Sequence, residues 1–474
     1  MNDYVPTAES PAASPVASMD VSAASTSLLT DMYELTMLQG ALASGTASRR
    51  SVFELFGRRL PGSRRFGVVA GTGRLLDAIE AFTFTPTQID FLHRTGVVDD
   101  ETLDFLRGYR FTGTIRGYAE GECYFAGSPL LTVEGTFAEA CILETLALSI
   151  YNYDCAVAAA ASRMTIAAHR RPCVDFGARR AHELAAVAAA RASVVGGFVG
   201  TSNLEAGLLY GIPTVGTSAH SFTLLHDTEE DAFAAQVASL GPSTTILVDT
   251  YDITTGVERA VEAARAAGGE LGAVRLDSGD LVAEAFKVRA QLDSLGATST
   301  RITVTNDLDE HAIAALGAAP VDSYGVGTKL VTGSGRPTAA LVYKLVEREG
   351  ANGSMEEVAK FSSGGKSTVG GRKWAGRTLT AKGTAAEELV VSSSSQDQGL
   401  AALDEAGARP LQVLLVDEGR IVEKHRGKEA LSAAAERHRS ARAELPYDAW
   451  RLSDGESALQ TRHVDLNGQG AIRR

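Results

Sequence analysis

The sequence predicts an α/β protein, with an irregular and incomplete β/α barrel joined to an N-terminal α/β domain. Three observations carry this reading. Between about residue 173 and residue 330, short apolar runs recur, and nearly every one ends in polar or glycine-rich residues. Ala-rich, helix-like stretches separate the runs. About seven such runs occur, one short of the eight strands of a closed barrel. Alternation of this kind puts functional side chains at the carboxyl ends of parallel strands.

Residues 1–26 are rich in Ala, Ser and Pro and contain no Lys or Arg. They lack the basic start and apolar middle of a secretory signal and are expected to form a disordered tail. An N-terminal domain is expected over 27–152. Thr30-Asp31 ahead of Met32, Leu35, Met37 and Leu38 predicts a capped amphipathic helix. Ser51–Phe56 and Gly67–Ala70 read as strands, Leu75–Phe82 and Glu101–Leu106 as helices. Gly113–Val133 carries strand signals broken by Gly and Pro, and two Ala/Leu-rich helices are expected near Ala138–Asn152 and Cys155–His169.

The barrel-like domain is expected over 153–347. Its runs are Cys173–Gly177, Val194–Phe198, Pro213–Gly216, Thr245–Val248, Ala273–Arg275, Ile302–Val304 and Asp322–Tyr324. After residue 330 the pattern changes, and residues 348–474 are expected to form a C-terminal region. Ala339–Glu347 and Glu357–Phe361 read as strands, Ser362–Thr368 as a loop, and further strands are expected near Leu389 and Leu411, with a helix near Lys428–Arg442. These elements are assigned partly to the N-terminal layer and partly to a small C-terminal unit.

At 474 residues the chain is long enough for two or three domains, and 45% hydrophobic with 22% charged residues is ordinary globular composition. A net charge of −13 argues against nonspecific nucleic-acid binding, which needs cationic surface, and leaves room for local phosphate pockets. Cys123, Cys141, Cys155 and Cys173 sit in apolar runs without CxxC spacing and read as reduced core residues. No apolar stretch reads as a membrane span, and a cytoplasmic protein is expected.

Two motifs fail. Gly71-Thr72-Gly73 is half a dinucleotide fingerprint, with Leu76 where the third glycine belongs. Gly365-Lys366-Ser367 resembles the end of a Walker A loop, but Lys360 occupies the first-glycine position and Val369-Gly370-Gly371 is a poor helix start. Each is read as a flexible surface loop, with Lys360, Lys366 and Lys373 as solvated charge or as reach toward a polyphosphate.

The chemistry gathers at strand ends. Tyr324-Gly325-Val326-Gly327-Thr328 admits a phosphate nest of backbone N–H groups or a tight turn. Arg275 and Asp277 fall on one face at strand spacing. Arg275 suits a carboxylate or phosphate, and Asp277 with Asp249 suits ribose hydroxyls or a divalent metal, the alternative being an internal ion pair. His220, among small polar residues just past a run, reads as a nucleophile, proton carrier, phosphate acceptor or structural histidine. His169, His182 and His226 offer no zinc-ligand spacing with it. Phe176 and Tyr33 are flat faces for an aromatic ligand, or core.

Five segments in order, Thr30–Met37, Asp175–Arg180, Gly216–Ser221, Arg275–Asp280 and Gly325–Thr328, resemble nicotinate phosphoribosyltransferase. The resemblance runs from about Ser27 to Glu347. It implies an ATP-assisted condensation of nicotinate with phosphoribosyl pyrophosphate, with Mg²⁺ as cofactor, on an irregular barrel in a homodimer with shared active sites. It implies that His220 is phosphorylated and that Tyr33, from the neighbouring subunit, and Phe176 sandwich the pyridine ring. It also implies that Arg275 and Thr217 contact nicotinate, Thr328 with Gly325 and Gly327 the ribose phosphate, Asp277 and Asp249 sugar or magnesium, and Arg179 a phosphate. Metal ligands stay unassigned.

The nicotinamide enzymes of the same superfamily are the near rival. Where they resemble Gly-Thr-Asp this chain has Ser202 after Gly200-Thr201, a neutral residue that favours an anionic substrate. A phosphosugar isomerase or aldolase barrel, with Lys329 as the lysine next to a strand end, and a nucleotide-binding regulatory barrel are the readings from other classes.

Overall fold

The computed structural model describes residues 25–62, 64–360 and 368–467. A six-stranded parallel sheet holds the centre of the chain, in the spatial order Gly200–Thr201, Cys173–Asp175, Ser323–Val326, Arg301–Val304, Ala273–Leu276, Thr245–Leu247. It curls into a half-barrel without closing. Helices return the chain between strands, among them Glu183–Val195, Ile253–Ala266 and Leu281–Ser294. The strand interiors, Ile246, Val274, Leu276, Ile302, Val304 and Val326, are fully buried under the Ala-rich helices. Small side chains let helix backbones approach the sheet closely, which is why so much alanine sits in this core.

Four of the expected runs form strands where they were placed, together with Cys173–Asp175, and two do not. Val194–Phe198 is not a strand. The Ala-rich helix Glu183–Val195 runs into it, Gly196 and Gly197 end the helix, and the strand shifts to Gly200–Thr201. Pro213–Gly216 contributes a single parallel bridge, Thr214 to Thr201. The two helices expected around residue 152 are one, Glu144–Ala167, because nothing in that span is Gly or Pro. The helix therefore crosses the expected boundary at 152/153.

The N-terminal unit is built on a seven-stranded antiparallel sheet. Its order is Met355–Glu357, Leu341–Glu349, Arg50–Gly57, Pro129–Thr136, Thr114–Tyr118, Gln412–Asp417, Arg420–Ile421. Chain beyond the barrel thus returns to complete it. Lys373–Leu379, Ala385–Ser392, Ala408–Pro410 and Thr461–Asp465 make a separate four-stranded sheet, and the helix Gly427–Ala443 follows its own course against the barrel helices.

The expected tail lies outside the described residues up to residue 24. Thr26 is already anchored, its backbone N–H and hydroxyl donating to Ala81 and Ala78 carbonyls at 3.2 and 2.6 Å. Helix Met32–Ala43 starts at Asp31, but Asp31 makes no side-chain cap. It buries Leu35, Leu38 and Ala41 and also exposes Met32, Tyr33 and Met37, so apolar residues occupy two faces.

The first failed motif is not a simple surface loop, and the second, Gly365-Lys366-Ser367, lies outside the described residues. Gly71-Thr72-Gly73 is buried at the start of helix Thr72–Glu80, with Gly71 at φ 97°. The Glu120 carboxylate takes the place an anion would hold there, accepting from the Gly71 N–H at 2.7 Å and from both Arg191 nitrogens at 2.6 and 2.7 Å. Burial pushes the Glu120 carboxyl up, but Arg191 and the backbone donors outweigh it and hold it below its ordinary value. Lys373 is buried against Glu54 at 2.7 Å and is not solvated; Lys360 is exposed, and the loop 361–367 with Lys366 lies outside the described residues. All four cysteines are buried and free, and among the described residues no helix is long and apolar enough to cross a membrane.

Glu120–Arg191 ties the N-terminal unit to a barrel helix. Arg191→Met strands a fully buried carboxylate, and the expected loss is about 3–5 kcal/mol of unfolding free energy, read as a lowered urea midpoint.

Candidate functional site

Five neighbouring strands deliver polar residues to one edge of the half-barrel. Leu247 pairs with Arg275, so Asp249 and Asp277, two residues on, emerge side by side. Asp249 Oδ2 accepts the Asp277 backbone N–H at 2.9 Å and the Ser278 hydroxyl at 2.7 Å. Its Oδ1 is buried with no hydrogen-bond partner and lies 3.9 Å from His220 Nε2. The other ring nitrogen of His220, Nδ1, is 3.1 Å from the Thr250 hydroxyl. His220 opens the short helix His220–Leu225, and its side chain is 41% exposed, open to a ligand on the mouth side.

Arg275 points the same way. One terminal nitrogen donates to the Ser218 carbonyl at 2.9 Å, and its Nε is buried with no acceptor. Burial pulls the guanidinium below its ordinary value, Asp277 and Asp249 oppose that, and Arg179 adds to it. Arg179 itself is exposed at the rim, as is Thr217. Asp280, at the end of the same motif, caps helix Leu281–Ser294 and takes no part at the mouth.

On the other side of the edge, Asp175 is fully buried. Its two oxygens accept the Gly177 N–H and the Thr201 hydroxyl, each at 2.7 Å, and its carbonyl accepts the Ser202 N–H at 2.8 Å. Burial raises its carboxyl above the ordinary value, with those donors opposing. Phe176, between two pinned neighbours, donates its N–H to Val326 at 2.8 Å and is half-buried. Ser202 and Thr328 are half-buried nearby in sequence order, Thr328 opening the turn of helix Thr328–Val331 behind Gly327.

The structure thus gathers His220, Asp249 and Asp277 through direct contacts, holds Arg275 on the same edge through the Ser218 carbonyl, and links Phe176 to Asp277 through Gly325 and Thr305. Tyr33 stands apart. It lies on the N-terminal helix, 44% exposed, with Glu144, Glu34 and Thr145 as neighbours, and burial followed by those carboxylates pushes its hydroxyl up to about 12. Sequence reasoning missed Thr250 and Thr305. After Ile302–Val304, Asn306 and Asp307 make a turn at φ 90° and 27°, while Thr305 donates to Asp277. The available signal was register: Thr250 and Thr305 directly follow the strand-end residues Asp249 and Val304.

Comparison with known proteins identifies the family. Residues 28–152 match the nicotinate phosphoribosyltransferase (NAPRTase) N-terminal domain, and residues 172–363 match the nicotinate phosphoribosyltransferase (NAPRTase) family. Nicotinate phosphoribosyltransferase pncB1 of Mycobacterium tuberculosis is 52% identical over 445 residues, covering 92% of this chain and 95% of that protein. The Bacillus subtilis nicotinate phosphoribosyltransferase is 37% identical over 356 residues, 74% of this chain and 72% of its own. The crystal structure of human nicotinic acid phosphoribosyltransferase superposes with a TM-score of 0.76 over 92% of this chain and 97% of that one, at 24% identity, a likeness of fold.

Proposed function

The chain belongs to the nicotinate phosphoribosyltransferase family, and from that premise we propose that it condenses nicotinate with phosphoribosyl pyrophosphate, yielding nicotinate mononucleotide and pyrophosphate, an entry step to NAD. One observation carries the reading on the structural side. At paired strand ends, a guanidinium nitrogen of Arg275 and a carboxylate oxygen of Asp249 are buried without partners. A native protein leaves such groups bare where a ligand completes them. The carboxylate of nicotinate suits the first, and a cation-bearing pyrophosphate suits the second.

The chemistry asks for positioning and charge more than for proton transfer. Breaking the anomeric C–O bond builds positive charge on the ribose while negative charge grows on departing pyrophosphate. The pyridine nitrogen is already a nucleophile and needs no general base. Arg275, with Thr217, orients the substrate carboxylate, and Phe176 lies flat against the ring. Thr328 and Gly327 are assigned to the ribose phosphate and Arg179 to a phosphate at the rim. Asp249 and Asp277 would hold Mg²⁺, a hard cation that takes one or two carboxylates and keeps phosphate oxygens and waters as its other ligands. When bound, that ion neutralises the leaving group.

ATP is the proposed co-substrate and His220 the proposed phosphate acceptor. The support is positional: an accessible imidazole, held through Nδ1 at Thr250, has Nε2 beside the bare Asp249 oxygen. A homodimer is proposed in which Tyr33 of one copy completes the other's mouth. Exposed Met32, Tyr33 and Met37 on one unit, and exposed Leu204, Leu208, Leu224 and Leu225 near the half-barrel mouth, give the apolar surface for it. Four buried, free thiols fit a reducing cytoplasm.

Purified protein with phosphoribosyl pyrophosphate and Mg²⁺, given nicotinate or nicotinamide with and without ATP, is expected to form nicotinate mononucleotide, faster with ATP. Absence of mononucleotide from either base would overturn the assignment. His220→Ala is expected to keep a slow basal reaction and lose the ATP stimulation, a loss of about 10²-fold or more under ATP; full stimulation in that variant removes the phosphohistidine.

Ser202→Asp puts a carboxylate against an anionic substrate and is expected to raise the KM for nicotinate about tenfold, a cost near 1.4 kcal/mol. Steady-state kinetics with both bases reads it, and an unchanged preference for the acid removes Ser202 from the specificity argument.

A further inference from the structure

The two glycines of Gly325-Val326-Gly327 face different surroundings. Gly325 lies inside strand Ser323–Val326, paired with Val174 across the sheet, and its φ falls outside the left-handed range. Its backbone therefore has no need of glycine. A Cβ placed there would lie 2.4 Å from Phe176 Cδ2, 2.4 Å from Phe176 Cε2 and 2.6 Å from the Thr305 methyl. All three are closer than carbon atoms approach. At Gly327 the nearest atoms to such a Cβ are the Phe176 carbonyl oxygen at 3.4 Å and Arg180 Cγ at 3.8 Å, ordinary contacts.

We infer that Gly325 is a positioning residue for the pyridine-binding wall: its missing side chain is the seat of the Phe176 ring, not a contact to phosphate. The Phe176 backbone cannot retreat to make room. Asp175 ahead of it is pinned by Gly177 and Thr201, its own N–H is bonded to Val326 at 2.8 Å, and a Cβ on Gly177 would meet Val331 at 2.2 Å. An added methyl at 325 is thus relieved by rotating the ring or pushing Thr305. Ring rotation tilts the surface on which the pyridine lies. Displacing Thr305 disturbs its hydroxyl donation to Asp277. One missing side chain accordingly sets the distance between the aromatic wall and the carboxylate edge.

The inference rests on Phe176 being the ring-binding face in the proposed reaction, and the test separates the two. Gly325→Ala is assayed by initial rates with nicotinate and phosphoribosyl pyrophosphate varied in turn, with thermal melting alongside. The expected result is a KM for nicotinate raised about tenfold or more, as for a small misplacement of a binding surface, with the KM for phosphoribosyl pyrophosphate within about twofold of the parent. Phe176→Leu removes the ring that the new methyl meets, so Gly325→Ala added to Phe176→Leu is expected to leave the nicotinate KM of Phe176→Leu unchanged. This pair reads the same coupling should Gly325→Ala alone fold poorly. An active parent whose Gly325→Ala variant keeps its nicotinate KM, or raises both KM values alike, overturns the inference. A parent without turnover overturns the functional reading beneath it.

Discussion

Parallel pairing is the constraint from which the site follows. Six strands running one way, each reached by a helical return, have all their carboxyl ends at one edge. Residues far apart in the chain therefore meet there in register. The Leu247–Arg275 pairing brings Asp249 to the Asp277 N–H, and the Val304–Leu276 pairing brings Thr305 to the Asp277 carboxylate. The sheet does not close, so one side of the mouth is bounded by the segment between Thr214 and Thr245 and by nothing else in the sheet. That segment carries His220 and exposes Leu224 and Leu225, and a neighbouring surface exposes Leu204 and Leu208. In the proposed homodimer a second copy would supply both cover for this open mouth and an aromatic face.

Holding three sheets around one edge relies on charges buried far from it. Glu120–Arg191 joins the antiparallel unit to the barrel helices, and Arg163–Glu310 at 3.0 Å joins the long helix Glu144–Ala167 to the segment after Arg301–Val304. Arg377 lies fully buried between Glu388 at 3.0 Å and Glu122 at 3.4 Å, fastening the four-stranded sheet to the N-terminal unit. Such pairs add little net stability over apolar packing, since desolvation offsets their attraction. What they contribute is register between layers, because breaking any one leaves a buried charge. The Gly71-Thr72-Gly73 turn illustrates it. A glycine-rich helix start that elsewhere receives a phosphate is here satisfied by Glu120, so a nucleotide motif has become a joint.

How much of this the sequence discloses depends on the range of the interaction. Five of the six parallel strands were legible because each is a short, mostly apolar run ending in polar residues, a local signal. Val194–Phe198 misled for the same reason: two valines and a phenylalanine look like a strand, yet the valines finish a buried alanine helix that ends at Gly196. The continuous helix Glu144–Ala167 was read as two, while Asp154, between the two expected helices, is buried against Arg74 at 2.6 Å, a contact invisible along the chain. At the site, His220, Asp249, Arg275 and Asp277 were all legible as strand-end chemistry. Thr250 and Thr305 were not, since a threonine after a strand says nothing until its partner is known. Gly325 was read as backbone for an anion because glycine reports only an absence. What fills that absence is a tertiary fact.

The bare groups at the edge explain why the site is built as it is. An unpaired buried donor or acceptor costs about 1–3 kcal/mol, and this edge carries one of each, Arg275 Nε and Asp249 Oδ1. Elsewhere the same residues are well held: Arg275 by Ser218, Asp249 by Asp277 and Ser278. Their unsatisfied atoms are therefore fixed, desolvated polar groups at the strand-end edge. Fixing them in advance means that little reorganisation remains when charge develops on a substrate, which is where electrostatic preorganisation lowers a barrier. Burial that pulls the Arg275 guanidinium down while Asp277 and Asp249 oppose it keeps a cation charged in a place that disfavours charge. In the proposed reaction the carboxylate of an anionic ring substrate would complete that balance, and the neutral Ser202 leaves the anion unopposed.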